Sequence, residues 1–440
     1  MPNYHVWTIG CQMNTSDARN VSDELEQLGY AESASMRDAD VVILYSCMVR
    51  QHAEDKVHSQ LGALKKLKSE KPSLRVALAG CIGEVSGWQK RYPFVDFFLE
   101  PGQDLSVQDK LTDLIELDEL YRIQPDDAVR MGRVSEGVTI QQGCNRSCTY
   151  CIVPSTRGGE RSRIPFDIQF EVEGLVQRGT REVVLLSQIV ERYGRDLRPR
   201  VSLAALLAQL NDVRGIERIR FLTSYPGDFG ADLIQAVATL PKVCEDINLP
   251  VQSGDNDVLR AMKRGYTIEF YTELVQRLRA GIPNLSMSTD IIVGFPGETV
   301  AQFENTLKAI ENIQWDVIHV AAYSTRAGTA AAEYVDQLPL EEKRQRLHLV
   351  EELQKEIQTR RNAVFQDRIV EVLIEGQSKG KWYGRSRNNK LVHVAFPDDL
   401  VGRLVDVRIT QTSPWSLQGE VQAMKPRSSG LALTALPVLS

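Results

Sequence analysis

The segment Gly143–Arg163, GCNRSCTYCIVPSTRGGERSR, places three of the chain's seven cysteines within eight residues. Cys144, Cys148 and Cys151 are spaced C-x3-C-x2-C, and no histidine lies nearby to complete the four-ligand set of a structural zinc site. A cluster of four irons held by three cysteines leaves one iron without a protein ligand, and that iron can bind a substrate or cofactor. The segment therefore predicts an iron–sulfur site that takes part in chemistry.

The sequence around this segment favours an α/β fold. Six strand-like runs, the first of which directly precedes the segment, alternate with helical segments and predict a partial (βα)6 barrel. The carboxyl ends of such strands form the active face, so the cysteine segment is expected on that face. Cys244 precedes its strand and is predicted to be a structural, buried cysteine. Polar residues expected on the active face are Ser187, Gln188, Thr223, Ser224, Gln252, Ser253 and Glu298.

Three earlier strand-like runs also alternate with helices, and they are followed by Cys11, Cys47 and Cys81. Apolar strands alternating with helices predict a doubly wound parallel sheet, in which the carboxyl ends of all strands share one edge. A lone cysteine is more often a small buried hydrophobe, but equivalent positions in three successive units favour convergence on a shared site. The first helix is predicted to begin at a cap formed by Thr15 or Ser16.

Composition narrows the class of protein. The 440 residues are 42% hydrophobic and suffice for two or three domains with substantial cores. The net charge of −6 gives no general attraction to nucleic acid, so such a partner would need a local basic patch. Seven cysteines without a secretory signal indicate a reducing compartment, and no apolar run approaches the roughly 18 residues of a membrane span. We therefore expect a cytoplasmic protein without a membrane partner.

The C-terminal part changes to short alternating strands after a charged helix. Four such strands predict a small β-barrel, and no structure is predicted for the tail after residue 427. Residues 360–390 contain eight Lys and Arg against three acidic residues. Basic groups beside aromatic rings suit RNA, although a barrel surface that is merely basic remains the alternative. The candidate RNA-binding residues are Lys381, Trp382, Tyr383, Arg385 and Arg387.

The C-x3-C-x2-C spacing, with an aromatic residue at Tyr150, resembles the signature of the radical S-adenosylmethionine (SAM) superfamily. The resemblance implies that the open iron of a 4Fe–4S cluster chelates SAM and that one electron releases a 5'-deoxyadenosyl radical from it. The GGE of Gly158–Glu160 resembles the element that receives the SAM amino group, since a carboxylate accepts from an ammonium. The candidate SAM-binding residues are Gly158, Gly159, Glu160, Ser187, Ser224, Gln252 and Asp290.

The chain as a whole resembles the methylthiotransferases. The matching segments are TIGCQMNTSDAR, SCMVRQHAEDKV, GC at Cys81, GCNRSCTYCIVPSTRGGERSR, LPVQSG, DIIVGFPGET and YSTRAGTAAA. The resemblance implies that Cys11, Cys47 and Cys81 hold an auxiliary 4Fe–4S cluster that supplies sulfur, while Cys144, Cys148 and Cys151 hold the radical-generating cluster. It also implies that SAM is used twice, once to methylate sulfur and once to form the radical. The C-terminal segment resembles a TRAM domain, an RNA-binding module of these enzymes.

The forms GCQMN and CTYCIVPSTRG are most similar to the methylthiotransferases that act on carbon 2 of N(6)-dimethylallyladenosine beside the tRNA anticodon. One alternative is the same chemistry on threonylcarbamoyl-adenosine or on a ribosomal protein side chain. An alternative of another class is a non-catalytic iron–sulfur scaffold that binds RNA, which would leave the GGE element unexplained. Two segments depart from the family pattern, YSC in place of NTC and LLSQIVERYG in place of LLGQNVNSYG, and both leave the six cysteines intact.

These inferences predict three domains. They are a cluster-binding N-terminal domain at residues 3–120, a radical SAM core at 130–360 and a TRAM-like barrel at 362–426. The expected cofactors are two 4Fe–4S clusters and SAM. The expected partners are tRNA, an external one-electron reductant and an iron–sulfur assembly or carrier protein, and the protein is expected to be a monomer.

Overall fold

The computed structural model describes residues 1–47, 51–82, 85–99 and 133–425, so most of the predicted interdomain linker and the C-terminal tail lie outside it. The chain forms two compact units, each assembled from separate stretches of sequence. The first unit comprises Met1–Val129, Gln141–Arg161 and Ser324–Ala332, and the second comprises Arg130–Ile140, Ser162–Tyr323 and Glu333–Ser440. The six cysteines predicted to bind clusters therefore all belong to the first unit.

The first unit contains a parallel sheet with helices on both faces. Hydrophobic side chains of β3 alternate between two clusters, one of which includes Leu25 and the other Leu61. The predicted doubly wound sheet is thereby confirmed. The strand order is β2-β1-β3-β4-β5, and the elements are β1 (Asn3–Thr8), α1 (Gln12–Gln27), β2 (Ala31–Glu32), β3 (Val41–Cys47), α2 (Gln51–Glu70), β4 (Arg75–Cys81), α3 (Val85–Arg91) and β5 (Phe97–Leu99).

Helix α1 begins earlier than predicted. Its N-cap is Cys11, whose backbone is extended (φ −89°, ψ 171°), so Thr15 and Ser16 lie inside the helix and the predicted cap was wrong. The buried side chain of Asn14 donates from Nδ2 to the carbonyl oxygen of Ser46 at 2.7 Å. This bond holds the first turn against the end of the neighbouring strand β3, a contact that the local pattern of capping residues does not contain.

The second unit contains six parallel strands in two three-stranded sheets, ordered β10-β9-β6 and β11-β12-β13. The sheets meet between β10 and β11, where Ile219 bridges Val243 and the Ser224 amide donates to the Asn248 carbonyl at 3.0 Å. This arrangement confirms the predicted partial (βα)6 barrel. The six strands are β6 (Ser135–Thr139), β9 (Glu182–Leu186), β10 (Arg218–Phe221), β11 (Asp246–Asn248), β12 (Ser286–Val293) and β13 (Val317–Ala322). The short pair β7 (Gln141–Gln142) and β8 (Arg161–Ser162) bounds the Gln141–Arg161 stretch of the first unit.

Helices connect the core strands and continue beyond the last of them. Cys244 is buried, and its amide donates to the carbonyl oxygen of Ile219 at 2.9 Å, as expected of a structural cysteine. Among the described residues, no helix is long and apolar enough to cross a membrane. The helices are α4 (Val153–Arg157), α5 (Pro165–Gln177), α6 (Leu203–Asn211), α7 (Ala231–Thr239), α8 (Asn256–Ala261), α9 (Ile268–Gly281), α10 (Val300–Ile313) and α11 (Leu340–Ala363).

A closed barrel follows α11. The sequence predicted four strands, whereas the barrel has five in the order β14-β15-β16-β18-β17. The missed strand, LQGEVQAM, buries only Leu417 of its eight residues and contains a glycine, so it lacks the apolar alternation by which strands are predicted. The barrel strands are β14 (Ile369–Ser378), β15 (Lys381–Ser386), β16 (Leu391–Val394), β17 (Leu404–Thr412) and β18 (Leu417–Met424).

The barrel packs on the core near the amino ends of the core strands, the end opposite to the predicted active face. Arg220 of β10 donates to the carbonyl oxygens of Ser386 (2.8 Å) and Arg387 (2.9 Å) in the barrel. Arg387 in turn donates from Nε to the Glu245 carboxylate just before β11, at 2.9 Å. Since charged and polar groups at this junction are largely buried, removing one member should be costly.

We predict that Asp316→Asn lowers the free energy of unfolding by about 3 to 5 kcal/mol. Asp316 lies just before β13 and accepts from Arg361 Nε at 3.0 Å and from Lys390 Nζ at 2.9 Å. The Asp316 and Lys390 side chains are each only 6% exposed, so the variant would leave a buried ammonium without its counter-charge. Chemical denaturation measures the difference.

The same contacts predict how this stabilisation depends on pH. Burial alone would raise the pKa of Asp316, but Lys390 and Arg361 outweigh burial and hold the pKa below its usual value. A depressed carboxyl pKa stabilises the fold above the unfolded pKa of about 3.9, so the wild-type advantage should shrink as pH falls below about 4. Glu420→Gln, at an exposed ion pair with Arg408, is the control and should cost less than about 1 kcal/mol. Equal stability of the two variants would contradict the account.

Candidate iron–sulfur site

Cys11, Cys47 and Cys81 converge at the carboxyl edge of the first sheet, as predicted. Cys47 and Cys81 end strands β3 and β4 and lie directly opposite each other in register. Gly10 has φ +126°, and a Cβ there would lie 2.5 Å from the Cβ of Cys47, so only glycine fits beside Cys11. Burial raises the pKa of Cys81 to about 11, and the neighbouring charges of Cys11 and Cys47 act in the same direction. The thiols are thus close enough to influence one another electrostatically.

Arg157 joins the two cysteine triplets within the first unit. It ends helix α4, which begins two residues after Cys151, and its side chain is only 2% exposed. Its Nε lies 3.1 Å from Cys81 Sγ, and its Nη2 donates to Asn14 Oδ1 (3.0 Å) and Asp17 Oδ2 (3.0 Å). Burial alone would lower the pKa of Arg157, but Cys81 and Asp17 raise it, so the group stays charged. A permanent cation therefore lies against the cysteines of the sheet.

The segment that carries Cys144, Cys148 and Cys151 is folded tightly against the GGE element. The Cys144 amide donates to the Gly158 carbonyl at 3.0 Å, and the Cys151 amide donates to the Cys148 carbonyl at 3.1 Å. Gly143 has φ +77°, and a Cβ there would overlap the carbonyl group of Gly159. Three thiols, a tight glycine contact and GGE therefore lie in one short segment of the chain. The three thiols are the ligands that a three-cysteine cluster requires.

Glu160 is held at this loop by Asn145. The Glu160 carboxylate accepts from the Asn145 amide at 3.3 Å and from Asn145 Nδ2 at 3.2 Å. The Glu160 amide in turn donates to Asn145 Oδ1 at 3.2 Å. Asn145 directly follows Cys144 in the chain. Its reciprocal bonds therefore hold the Glu160 carboxylate beside the cysteine segment, where the carboxylate can accept a hydrogen bond from an ammonium group. Sequence analysis missed Asn145, although it lies inside the cysteine motif.

In the second unit, a chain of hydrogen bonds links candidate residues that follow β10 and β11 to Asp290, which lies within β12. The Ser224 amide donates to the Asn248 carbonyl at 3.0 Å, and Asn248 Nδ2 donates to Asp290 Oδ2 at 3.0 Å. The Gln252 amide donates to the Asp290 carbonyl at 2.9 Å. Gln252 has φ +71°, a left-handed backbone that is uncommon outside glycine and clusters at functional sites. Ser187 lies one strand away, at the end of β9.

Glu191 is a further carboxyl group at this edge that sequence analysis did not propose. Its Oε2 accepts from the Tyr225 amide at 3.0 Å. Burial raises the pKa of Glu191 to about 7, although hydrogen bonds from Ser224 and Tyr225 act the other way. The residue lies in LLSQIVERYG, so the departure from the family pattern was the signal that could have revealed it.

Glu298, expected on the active face, serves a structural contact instead. Its Oε2 accepts from the Gly294 amide at 2.7 Å and from Arg346 Nη1 at 2.6 Å. The first bond closes the turn after β12, and the second ties this turn to helix α11. The carboxylate is therefore committed to the protein's own cation.

The candidate RNA-binding residues differ in how freely they are presented. Trp382 is only 9% exposed, and its Nε1 donates to the Phe396 carbonyl at 3.1 Å. Arg387 is engaged by Glu245 of the core. Lys381 is exposed and donates to Gln418 Oε1 at 3.0 Å, while Arg385 donates from Nη1 to Asn389. RNA contacts by these residues, including Tyr383, stay a prediction, best placed on the exposed members.

Three family models match the chain. The "Uncharacterized protein family UPF0004" matches residues 3–99, the radical SAM superfamily matches residues 138–310, and the TRAM domain matches residues 364–422. Radical SAM membership implies SAM and a 4Fe–4S cluster. In the ranges that the structure describes, no group of three or more Cys, His, Asp or Glu side chains is arranged to enclose a single metal ion.

Curated relatives match nearly the whole chain. A tRNA-2-methylthio-N(6)-dimethylallyladenosine synthase of Dehalococcoides mccartyi is 46% identical over 426 residues, covering 96% of this chain and 99% of the relative. The protein of the same name from Herpetosiphon aurantiacus is 44% identical and covers 95% of this chain and 97% of the relative. That from Thermoanaerobacter pseudethanolicus is 42% identical and covers 95% and 92%.

Solved structures support the same fold at low sequence identity. The radical SAM methyltransferase TsrM from Kitasatospora setae, with cobalamin and a [4Fe-4S] cluster bound, superposes with a TM-score of 0.54 at 12% identity, covering 76% of this chain and 74% of that one. The cobalamin-dependent SAM radical enzyme OxsB gives a TM-score of 0.51 at 12% identity and covers 81% and 56%. At this identity the likeness concerns the fold alone.

Proposed function

The chain belongs to the radical SAM methylthiotransferase family that includes the tRNA-2-methylthio-N(6)-dimethylallyladenosine synthases, and from this premise we propose that it methylthiolates carbon 2 of N(6)-dimethylallyladenosine in tRNA. The observation that carries the proposal is the joining of two cysteine triplets in one compact unit. Arg157, which closes the segment of the second triplet, lies 3.1 Å from the sulfur of Cys81 in the first. One iron–sulfur site alone would leave the other triplet without a role.

We propose that Cys144, Cys148 and Cys151 hold the cluster that binds SAM. When bound, this group supplies the electron that splits SAM and so provides the radical that activates the C–H bond. The chain's own contribution is to leave the fourth position free and to hold the Glu160 carboxylate beside the loop through Asn145. Gly158, Gly159 and Glu160 are proposed to receive the SAM amino group, and the open space beside Gly158 supports close approach to the backbone there.

We propose that Cys11, Cys47 and Cys81 hold the auxiliary 4Fe–4S cluster that supplies the sulfur. Support comes from the convergence of three thiols at one sheet edge and from the buried guanidinium of Arg157, which offsets thiolate charge. Three thiolates fit the ligand set of a 4Fe–4S cluster, and when bound that cluster would supply the sulfur that is transferred. The methyl group would come from a second molecule of SAM.

The other site residues, the domain limits, the partners and the cellular location are also proposals. Ser187, Ser224, Gln252 and Asp290 are proposed to contact SAM or the adenine, because the first three follow the carboxyl ends of core strands and Asp290, within β12, is hydrogen-bonded to Asn248 and Gln252. The domain limits of 3–120, 130–360 and 362–426 are likewise proposed. An external one-electron reductant, an iron–sulfur carrier protein, a monomeric state and a cytoplasmic location are what this chemistry favours.

Expression in a bacterial strain that lacks its own dimethylallyladenosine methylthiotransferase tests the choice of acceptor. Nucleoside analysis of the tRNA should detect the 2-methylthio derivative when this chain is supplied, and not when its Cys144→Ala variant is supplied. Modification of threonylcarbamoyl-adenosine or of a ribosomal protein instead would favour the alternative acceptors. No modification of any of them, with both clusters assembled, would favour the RNA-binding scaffold.

The barrel is proposed to bind tRNA, and the exposed basic residues allow a test. We predict that Lys381→Ala with Arg385→Ala weakens tRNA binding several-fold and lowers the slope of log Kobs against log salt by about 1 to 2, because up to two phosphate contacts are lost. A filter-binding titration at several salt concentrations measures both quantities. Arg344→Ala with Lys355→Ala removes the same charge from exposed positions of helix α11 and should change neither. Equal effects of the two pairs would contradict a barrel-specific contact.

A further inference from the structure

One nitrogen of the Arg157 guanidinium, Nη1, makes no hydrogen bond within the part of the chain that the structure describes. Its Nε contacts Cys81 Sγ and its Nη2 contacts Asn14 and Asp17, but Nη1 is buried and has no hydrogen-bond partner among the described residues. A buried N–H group left unpaired typically costs about 1 to 3 kcal/mol, and more when it is charged. The side chain is only 2% exposed, so bulk water does not readily supply the missing acceptor.

The position of the guanidinium shows which of its donors faces the cysteines. Arg157 is fixed from two sides, by the Asp17 carboxylate on α1 and by Asn14, whose own Nδ2 is bonded to the end of β3. Its Nε lies at a cysteine sulfur that ends β4. In a planar guanidinium Nε and Nη2 share one edge, which here faces Cys81 and Asn14, so Nη1 lies on the far side of the group. Nε is therefore the donor that faces the cysteines.

We infer that Arg157, by donating from Nε to the Cys81 thiolate, brings a permanent positive charge to the group held by Cys11, Cys47 and Cys81. The inference rests on the proposed auxiliary cluster and gives that cluster a cationic hydrogen-bond donor. Hydrogen bonds to cluster sulfurs and positive charge both stabilise the reduced, more negative state. Arg157 is thus a positioning residue that raises the reduction potential of the auxiliary cluster and helps to retain it.

The test uses Arg157→Gln in the full chain, with Cys144, Cys148 and Cys151 replaced by alanine so that only the auxiliary site is observed. After anaerobic reconstitution we expect about 10- to 100-fold weaker retention of iron against a chelator. The midpoint potential, followed by EPR during a redox titration, should move to a more negative value. Arg157→Lys keeps the charge but offers a different donor geometry, and it should fall between wild type and Arg157→Gln.

Asp17→Asn distinguishes this role from packing. It removes the ion pair at Nη2, while Asn14 still accepts from Nη2 and Nε stays beside the Cys81 sulfur, so it should lower the melting temperature but shift the potential much less than Arg157→Gln does. Equal potentials and equal iron retention in Arg157→Gln and its parent would overturn the inference while leaving the auxiliary cluster in place. Failure of the parent itself to bind iron would instead overturn the proposed cluster. An unchanged potential in a folded Arg157→Lys protein, with Arg157→Gln unfolded, would also count against it.

Discussion

Replacing Cys144, Cys148 and Cys151 together by alanine is expected to abolish SAM cleavage and to remove about half of the roughly eight irons that two 4Fe–4S clusters contain. The thiols of this segment are the proposed ligands of the radical-generating cluster, whereas Cys11, Cys47 and Cys81 lie on the sheet edge and are untouched. Iron analysis of anaerobically reconstituted protein and quantitation of 5'-deoxyadenosine measure the two effects. The loss of cleavage should be complete within detection.

Cys244→Ala is the matched control for this experiment. Cys244 is a fully buried cysteine of the core that is assigned no ligand role, so alanine should cost only stability, on the order of 1 to 2 kcal/mol. Iron content and SAM cleavage should stay at the level of the unmodified protein. Continued formation of 5'-deoxyadenosine by the triple variant would show that the radical site lies elsewhere, and loss of all iron would show that the two sites do not assemble independently.

Replacing Cys11, Cys47 and Cys81 together by alanine should separate two activities that share one substrate. The radical half of the reaction requires only the other triplet and SAM, so the variant should still release 5'-deoxyadenosine when reduced. It should transfer no sulfur and incorporate no methyl group into tRNA, because the sulfur source is gone. Mass spectrometry of digested tRNA, run beside quantitation of 5'-deoxyadenosine, measures both activities in one sample.

A purely structural role of the same three cysteines predicts a different product. If the thiols only filled space in the first unit, alanine would cost about 1 to 3 kcal/mol in cavity energy and would lower the melting temperature. Methylthiolation would then survive in assays run below that temperature. Detection of the methylthio product from the triple variant would therefore contradict the sulfur-donor role.

The architecture was largely predictable because it depends on patterns that are local in sequence. Continuous apolar strands separated by helices predicted the doubly wound sheet and the partial barrel, and both were confirmed. The start of α1 was missed because Asn14 bonds to Ser46 in a neighbouring strand, which no capping rule contains. The fifth barrel strand was missed because β18 has a polar, glycine-containing sequence whose partners are supplied by the closed barrel.

Residues of the candidate site could be predicted from the sequence only where a cysteine follows a predicted strand. Cysteines that follow strands were expected to converge, and the structure brings Cys11, Cys47 and Cys81 together. Arg157 was not expected, because its contact with Asn14 joins residues 143 positions apart and nothing near it in sequence marks it as buried. Within PSTRGGE the arginine is one charge beside a turn, and only the folded chain shows that it is enclosed.

Clustered basic residues in the sequence predicted binding residues less well than the spacing of the cysteines predicted cluster ligands. The basic run of the barrel includes Arg387, whose guanidinium binds Glu245 of the core, and Lys390, which is buried against Asp316. Some of this positive charge therefore attaches the barrel to the core and is not offered to a partner. The sequence shows how many basic side chains are present, but the fold determines which of them face the core and which face solvent.

The most direct test of tRNA methylthiolation is an anaerobic reaction of the reconstituted protein with a reductant, SAM labelled with deuterium in its methyl group, and tRNA carrying N(6)-dimethylallyladenosine. Mass spectrometry of the digested tRNA should reveal a nucleoside that has gained one methylthio group at carbon 2 with the label in its methyl, together with 5'-deoxyadenosine. Release of 5'-deoxyadenosine without any labelled methylthio nucleoside, from protein carrying both clusters, would contradict the account.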